Sequence, residues 1–516
     1  MFSLGKNLIS LITCLILYMG VCKKTPGHSG IGSKIVNPER NLYSIESFRL
    51  AQNITIKAFQ KWNTGESGKR NEALILFEKA VSVSLFAFDA RHRLALARWN
   101  EGRYDDALAL WNETNNIMIW YVRNHGYNEI WDTVHRESLF VHGTSKEDGL
   151  PHKLIHDSEQ LLYLHQLNVS SKLFESPSDI QDLSLAYGNV GKRLEEMHPN
   201  QIRYGNEYGF MTLSNAALED LLGKTWGYNW LSASELHLPM IDSDSASVFR
   251  PQDAHQLADF VKIFQRTGVL IVDDLFTPSA LEIAYEACLR TPMWHEVKPW
   301  GYLGAYITSG MAISHPVFMK IAKEFPKSFK PIFDIFKHKT TSDVEVQGDS
   351  TNVHQSSSQT DLNMMWAYKY DNHARADGTG IGIHADDARI NINIWLTPDD
   401  ANLESQQSDE QSSDSGGGLI IYNDMAAPGW SQHYEDRSTD LGDRVREQWR
   451  GRSNVTIPYK QNRMVLFDSE RYHRTSSFRF KRGYRNRRIN LTLLFGDRKS
   501  NIEVNSENGR DTQLLH

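Results

Sequence analysis

The chain has 516 residues, of which 40% are hydrophobic, 11% aromatic and 23% charged, with a net charge of −7. That profile predicts a soluble chain of two or three domains with ample core material and excludes a disordered, collagenous or polytopic membrane protein. The acidic balance argues against nucleic acid as a partner, and three cysteines (Cys14, Cys22 and Cys288) are too few for a disulfide framework or a zinc cluster.

Residues 8–22 read LISLITCLILYMGVC, with Lys6 before them and Lys23 and Lys24 after. A helix of that length reaches about 22 Å, short of the roughly 30 Å hydrocarbon core. Residues 1–24 are therefore expected to be a secretory signal peptide or a short signal anchor, a single membrane attachment at most. Five Asn-x-Ser/Thr sequons, at Asn53, Asn112, Asn168, Asn454 and Asn490, accompany this and predict a glycoprotein of the secretory pathway, lumenal, secreted or anchored. The C-terminal QLLH is no KDEL-type retention signal, and residues 498–516 form a polar tail.

From residue 44 the chain is rich in Ala, Leu, Glu, Arg and Lys, with apolar residues three and four apart, which predicts helices. NEALILFEKAVSV from Asn71 aligns without gaps with DDALALWNETNNI from Asp105, so that Ala73 matches Ala107 and Phe77 matches Trp111 at a spacing of 34. That period, with a small residue at the helix crossing and a large one four on, is the tetratricopeptide (TPR) pattern. A TPR-like helical domain is expected over 44–225, with a plain helical bundle as the alternative. Its expected use is to present a surface to a peptide or protein. Residues 226–252 lack periodicity and are assigned to a linker.

The pattern changes over 253–497. GVLIVDDLF is a short β-rich run, and TPSALEIAYEACL then opens a helix at Pro278, with Cys288 expected in its packed face. Strands are predicted at Met364–Tyr370, Ala388–Leu396, Gly417–Asn423, Asn462–Asp468 and Arg487–Gly496, which together point to an all-β sandwich or barrel. The polar stretches 340–361 and 401–418 are taken as insertions.

Three residues of metal-ligand type fall into this pattern. His384 and Asp386 form an H-x-D ahead of the Ile390–Leu396 strand, and His473 follows the strand MVLFD and a turn. Side chains two apart on extended backbone share a face, so the pair can grip one ion with His473 as a third ligand. Two imidazoles and one carboxylate leave positions open, as non-haem Fe(II) oxygen chemistry requires. On the last strand Arg488, Asn490 and Thr492 share one face. A guanidinium buried beside such a site needs an anion, for which a carboxylate is the natural partner.

The ordered set HAD, GGGLIIY, VLFDSERYH and RRINLTLLF resembles the H-x-D, GG-x-L, F-x-S-x-x-x-H and R-x-S/N progression of 2-oxoglutarate/Fe(II)-dependent dioxygenases of the prolyl-hydroxylase-like kind. The order of helical repeats before an oxygenase is similar to that of collagen prolyl 3-hydroxylases. The resemblance covers nearly half the chain. It implies a multidomain α + β protein in which TPR-like α-helical repeats precede a double-stranded β-helix (jelly-roll) domain. It implies His384, Asp386 and His473 as Fe(II) ligands and Arg488 as partner of the distal carboxylate of 2-oxoglutarate, with ascorbate as reductant. The interval from His473 to Arg488 is longer than the family's, which leaves Lys481, Arg482 and Arg487 as substitutes. Tyr370 either bonds the cosubstrate or is a packed aromatic. Asn393 is assigned to the cavity face, and Asn490, inside the Arg488 strand, joins the cosubstrate side with its sequon closed to glycosylation. The implied activity is hydroxylation of a peptide or protein side chain. The rivals are a TPR scaffold with an inactive β domain and a Mn- or Zn-binding cupin-like protein.

Overall fold

A computed structural model gives the fold. It describes residues 42–62, 64, 67–125, 133–134, 151–168, 177–197, 247–294, 296–298, 301–307, 315–338, 360–372, 380–404, 416–426, 449 and 451–496. All of these lie in the compact unit Leu42–His516. The apolar run at 8–22, most of the 226–252 linker and the polar tail fall outside the described residues. Among the described residues no helix is long and apolar enough to cross a membrane.

Among the described residues six helices come first: α1 (Ile45–Trp62), α2 (Ser67–Val83), α3 (Phe88–Asn100), α4 (Tyr104–His125), α5 (Pro151–Gln166) and α6 (Pro177–Met197). The matched positions of the 34-residue alignment do the packing. Ala73 and Ala107 are fully buried where helices approach, and Phe77 and Trp111 are fully buried beside them. Removing a large apolar side chain of this kind from water contributes about 1.5–3 kcal/mol. Ala51, Ala58, Ala80 and Ala90 continue the small-residue seam between α1, α2 and α3.

These helices are not a body apart from the strands. Leu96, Trp99 and Trp111 belong to the same apolar cluster as the strands and helices beyond residue 247. Asn100 bonds the backbone of Leu362 with both ends of its amide, at 3.0 and 3.1 Å. Gln160 of α5 donates to the carbonyls of Leu289 and Thr291, each at 3.0 Å.

The remainder is α + β. Among the described residues, helices α7 (Ala254–Thr267), α8 (Pro278–Arg290), α9 (Pro316–Ser328) and α10 (Lys330–His338) accompany ten strands. Asp253 and Gln256 close a capping box on α7, and Thr277 caps α8, which opens at Pro278 as the sequence predicts. Phe249, at the end of the sequence-assigned linker, pairs with Phe276 and is buried.

The strands are β1 (Val269–Val272), β2 (Glu296–Lys298), β3 (Tyr302–Tyr306), β4 (Leu362–Tyr370), β5 (Ile390–Trp395), β6 (Leu419–Met425), β7 (Asn454–Ile457), β8 (Met464–Asp468), β9 (Arg471–Thr475) and β10 (Ile489–Phe495). They form a seven-stranded sheet, β1-β8-β5-β10-β4-β3-β2, and a three-stranded sheet, β7-β6-β9, all antiparallel. The period-two alternation of strands sorts the large sheet's residues. Ile390, Ile392, Ile394, Leu491 and Leu493 join the cluster with the helices. Trp395, Val465, Phe467 and Leu494 point the other way, into a core shared with Leu419, Ile421 and Ile457 of the small sheet. The polar members of this second face, Asn391, Asn393, Asn490, Thr492 and Arg488, therefore lie between the two sheets.

Two local readings differ from the sequence-based ones. His473 sits inside a strand, β9, because the turn after β8 is confined to Ser469 and Glu470. His384 is not in a strand entering β5 but makes an isolated bridge to His473, and the chain then turns through 387–389.

Candidate metal and cosubstrate site

The bridge brings the two imidazoles together. The backbone N–H of each histidine donates to the carbonyl of the other, at 3.0 Å (His384 to His473) and 2.8 Å (His473 to His384). Their rings lie 4.2 Å apart between centroids. Each ring is then oriented by the backbone two residues before it. His384 Nδ1 lies 2.8 Å from the Gly382 carbonyl oxygen and His473 Nδ1 lies 3.1 Å from that of Arg471. A carbonyl only accepts, so each Nδ1 carries the proton and each Nε2 presents a lone pair.

Asp386 faces both lone pairs. Its Oδ1 is 3.7 Å from His384 Nε2 and its Oδ2 is 3.4 Å from His473 Nε2. The three residues are buried and their ligand atoms all lie within 4.8 Å of one another. With both imidazoles neutral, two imine nitrogens and a carboxylate turned toward each other are all acceptors, which a cation among them would satisfy. The separations are close to the roughly 3 Å that neighbouring ligands about 2.1 Å from one ion must keep. The donor set thus fits a divalent metal ion. Two imidazole nitrogens and one carboxylate oxygen are a donor set that suits Fe(II).

The carboxylate is held from behind. Asn391 donates its amide to Asp386 Oδ2 at 2.6 Å, and Asn393 donates to Asn391 Oδ1 at 2.7 Å. Asn393 Oδ1 accepts in turn from Asn490 at 3.1 Å and Thr492 at 3.0 Å, while Asn490 also donates to Thr492 Oγ1 at 3.0 Å. Every link is buried. Ser469, the serine of FDSERYH, donates its hydroxyl to the Asp386 carbonyl at 3.1 Å and fixes the backbone there.

Arg488 lies on the same inter-sheet face and is 1% exposed. Its Nε donates to the Gly417 carbonyl at 2.8 Å, and its Nη1 is buried with no hydrogen-bond partner among the described residues. The guanidinium carbon stands 4.7 Å from the Tyr370 ring centroid, 5.4 Å from Phe478 and 5.9 Å from Tyr459. Burial pushes its pKa down, and the hydroxyls of Tyr370 and Tyr459 push it back up. A charged donor enclosed by rings, with no acid paired to it among the described residues, suits an anionic ligand.

The substitutes for Arg488 are turned elsewhere. Lys481 pairs with Asp400 at 3.3 Å, Arg482 is exposed, and Arg487 faces the helices, where Glu159 and Asp371 hold it at 2.8 and 3.1 Å. Tyr370, Asn393 and Asn490 all fall on the side of Arg488 and the triad. Asn490 is 5% exposed, whereas Asn53, Asn112, Asn168 and Asn454 are exposed.

The glycines of SGGGLIIY are explained by contact. Gly417 has φ +74°, and a Cβ on Gly418 would lie 1.8 Å from the Ile457 carbonyl oxygen. This turn places the Gly417 carbonyl against Arg488. Sequence reasoning missed Asn391 as a carboxylate holder, and it missed Tyr459 and Trp395. The alternation of Asn391 and Asn393 with isoleucines was the available signal, since both had to lie on one face.

No family profile and no curated protein matches the chain. It is similar to several solved structures. One is an oxidoreductase of the 2OG-Fe(II) oxygenase family from Burkholderia pseudomallei, at 12% identity over 50% of this chain and 98% of that one, TM-score 0.28. Another is a Pseudomonas putida prolyl-4-hydroxylase, at 14% identity over 46% and 98%, TM-score 0.26. A third is HygX from Streptomyces hygroscopicus, solved with nickel and 2-oxoglutarate, at 13% identity over 46% and 86%, TM-score 0.26. At these identities and scores the functional reading stands on the site's own geometry.

Proposed function

We propose that the chain is a 2-oxoglutarate- and O2-dependent hydroxylase with a non-haem Fe(II) centre. The observation that carries this is the meeting of His384, Asp386 and His473 around one point, with the acid-free guanidinium of Arg488 on the same inter-sheet face. Bound Fe(II) would supply the oxygen activation that no side chain can perform, coupled to decarboxylation of 2-oxoglutarate to succinate.

The protein's own work is placement. His384 and His473 offer Nε2 lone pairs because their Nδ1 protons are tied to backbone carbonyls. Asn391 keeps Asp386 from swinging away, and its own amide is kept in place by Asn393. Arg488 would bind the distal carboxylate of 2-oxoglutarate and so set the reach of the other end toward the metal. Tyr370 and Phe478 wall the guanidinium off from water, which strengthens its pull on an anion.

The substrate in this proposal is a peptide or protein side chain presented with the help of the TPR-like helices, ascorbate serves as reductant, and the setting is the secretory pathway. The resemblance of motif order and the N-terminal apolar run support these points. The test is release of labelled succinate from labelled 2-oxoglutarate by purified protein with Fe(II) and ascorbate. His384→Ala should abolish it. Equal turnover in both proteins would remove the assignment and favour a scaffold with an inactive β domain.

A further inference from the structure

Tyr370 beside Arg488 is the first of a file of rings that the hydroxylation itself does not use. On the inter-sheet face of β3 and β4, the side chains from Tyr302 to Tyr306 and from Trp366 to Tyr370 are all tyrosine or tryptophan, Gly304 apart. Tyr370 lies 5.4 Å from Tyr302 between ring centroids, and Tyr302 lies 5.1 Å from Tyr368. Tyr368 lies 6.0 Å from Tyr306, and Tyr306 stacks on Trp366 at 5.9 Å. Phenylalanine would fill this face equally well. What phenol and indole add is the readiness to give up an electron.

Both ends of the file are informative. At the inner end, the Tyr370 ring stands 4.7 Å from the Arg488 guanidinium carbon. Tyr368 and Trp366 are paired across β4–β10 with Asn490 and Thr492, and both of these donate to Asn393, which leads through Asn391 to Asp386. At the outer end is Tyr306, half-buried where the other four rings are buried. Its hydroxyl is hydrogen-bonded to that of Tyr368. A phenol that loses an electron also loses its proton, and each hydroxyl of this pair can accept from the other.

We infer that the file is a one-electron relay that protects the metal site. An oxidant formed at the metal from O2, with no organic substrate in place, takes up one electron drawn along the rings. Tyr306 supplies that electron and releases its phenolic proton to solvent, which leaves a neutral tyrosyl radical at the half-buried end. Ascorbate, a hydrogen-atom donor, restores the phenol. The inference rests on the proposed Fe(II) reading and adds to it a function separate from hydroxylation, the disposal of a competing reaction.

The experiment freezes the Fe(II)-loaded full chain during reaction with 2-oxoglutarate and O2, without organic substrate or ascorbate. Electron paramagnetic resonance, peptide mass maps and succinate are read from the same samples. Wild type should show a tyrosyl radical and carry its oxidation products on Tyr306. Tyr306→Phe should release succinate at the wild-type initial rate, lose that radical, and carry its oxidation on residues beside the metal instead. Succinate release by wild type with no tyrosyl radical and no oxidised Tyr306 would overturn the relay and leave the function intact, as would an unchanged radical in Tyr306→Phe. A wild type that releases no succinate would overturn both. Should the variant fail to fold, the wild-type maps decide, since oxidation confined to the surroundings of His384, Asp386 and His473 contradicts the relay.

Discussion

Arg487 and Arg488 are consecutive in the chain and face opposite sides of one sheet. Arg488 points between the sheets toward the candidate site. Arg487 points to the helices, where Glu159 of α5 holds its Nε at 2.8 Å and Asp371 holds its Nη1 at 3.1 Å. Their shared backbone is pinned as well. Thr397 donates its hydroxyl to the Arg487 carbonyl at 2.7 Å and accepts the N–H of Ile489 at 2.9 Å. An ion pair to a helix far upstream thus steadies the strand that follows Arg488.

Glu159→Gln should therefore destabilise the fold. Arg487 would be left buried with one acid in place of two, a loss of about 1–3 kcal/mol. Urea denaturation of the variant measures it. A midpoint unchanged from wild type would show that the helical region does not brace the β domain through this contact.

Asn391→Ala should leave all three ligand side chains in place and weaken metal binding by about tenfold or more, the usual cost of removing a group that orients a ligand. Competition titration with a chelating dye and Mn(II) reads this without any turnover. An affinity equal to wild type would mean that Asp386 needs no support from the amide chain.

Lys369 is fully buried on the helix-facing side of β4, with its Nζ over the Tyr484 ring at 3.7 Å and no hydrogen-bond partner among the described residues. Burial, and then the nearby Arg487, hold its pKa well below the ordinary lysine value. The unfolded chain binds this proton more readily than the folded one, so its cost to stability grows as pH falls from the ordinary lysine value toward the lowered one. Lys369→Met should raise stability at neutral pH by about 1–3 kcal/mol, with the advantage shrinking as pH rises toward about 10. Thermal melts across that range check both sign and slope. A variant less stable than wild type at neutral pH would show that the contact with Tyr484 outweighs desolvation.

Cys288 lies fully buried in α8, and burial pushes its thiol up to about 12. It should resist a thiol reagent such as dithionitrobenzoate in the folded protein at about pH 8 and react at once after denaturation. Prompt labelling of Cys288 under native conditions, located by peptide mass mapping, would contradict its place in the core.

Much of the site was legible because strand alternation is a local property. The side of β10 shared by Arg488, Asn490 and Thr492 follows from spacing alone, and the H-x-D pair needs only adjacent backbone. The short strands β2, β3 and β7 were not legible, since three to five residues carry too little pattern to stand out. The turn before His473 is shorter than the sequence suggests because pairing with β6 draws Arg471 and Tyr472 into a strand. Trp395 and Tyr459 could not be assigned from sequence. Their surroundings depend on contacts between β5, the loop after β7 and β10. The role of Arg487 was equally hidden, because its acid is 328 positions away.

Metal stoichiometry is the decisive measurement. Anaerobic titration of the purified chain with Fe(II), followed by calorimetry, should show one ion bound per chain. The combined variant His384→Ala, Asp386→Ala should bind none while keeping the wild-type circular dichroism spectrum. One equivalent retained by that variant, or none bound by the wild type, would show that these side chains do not share an ion.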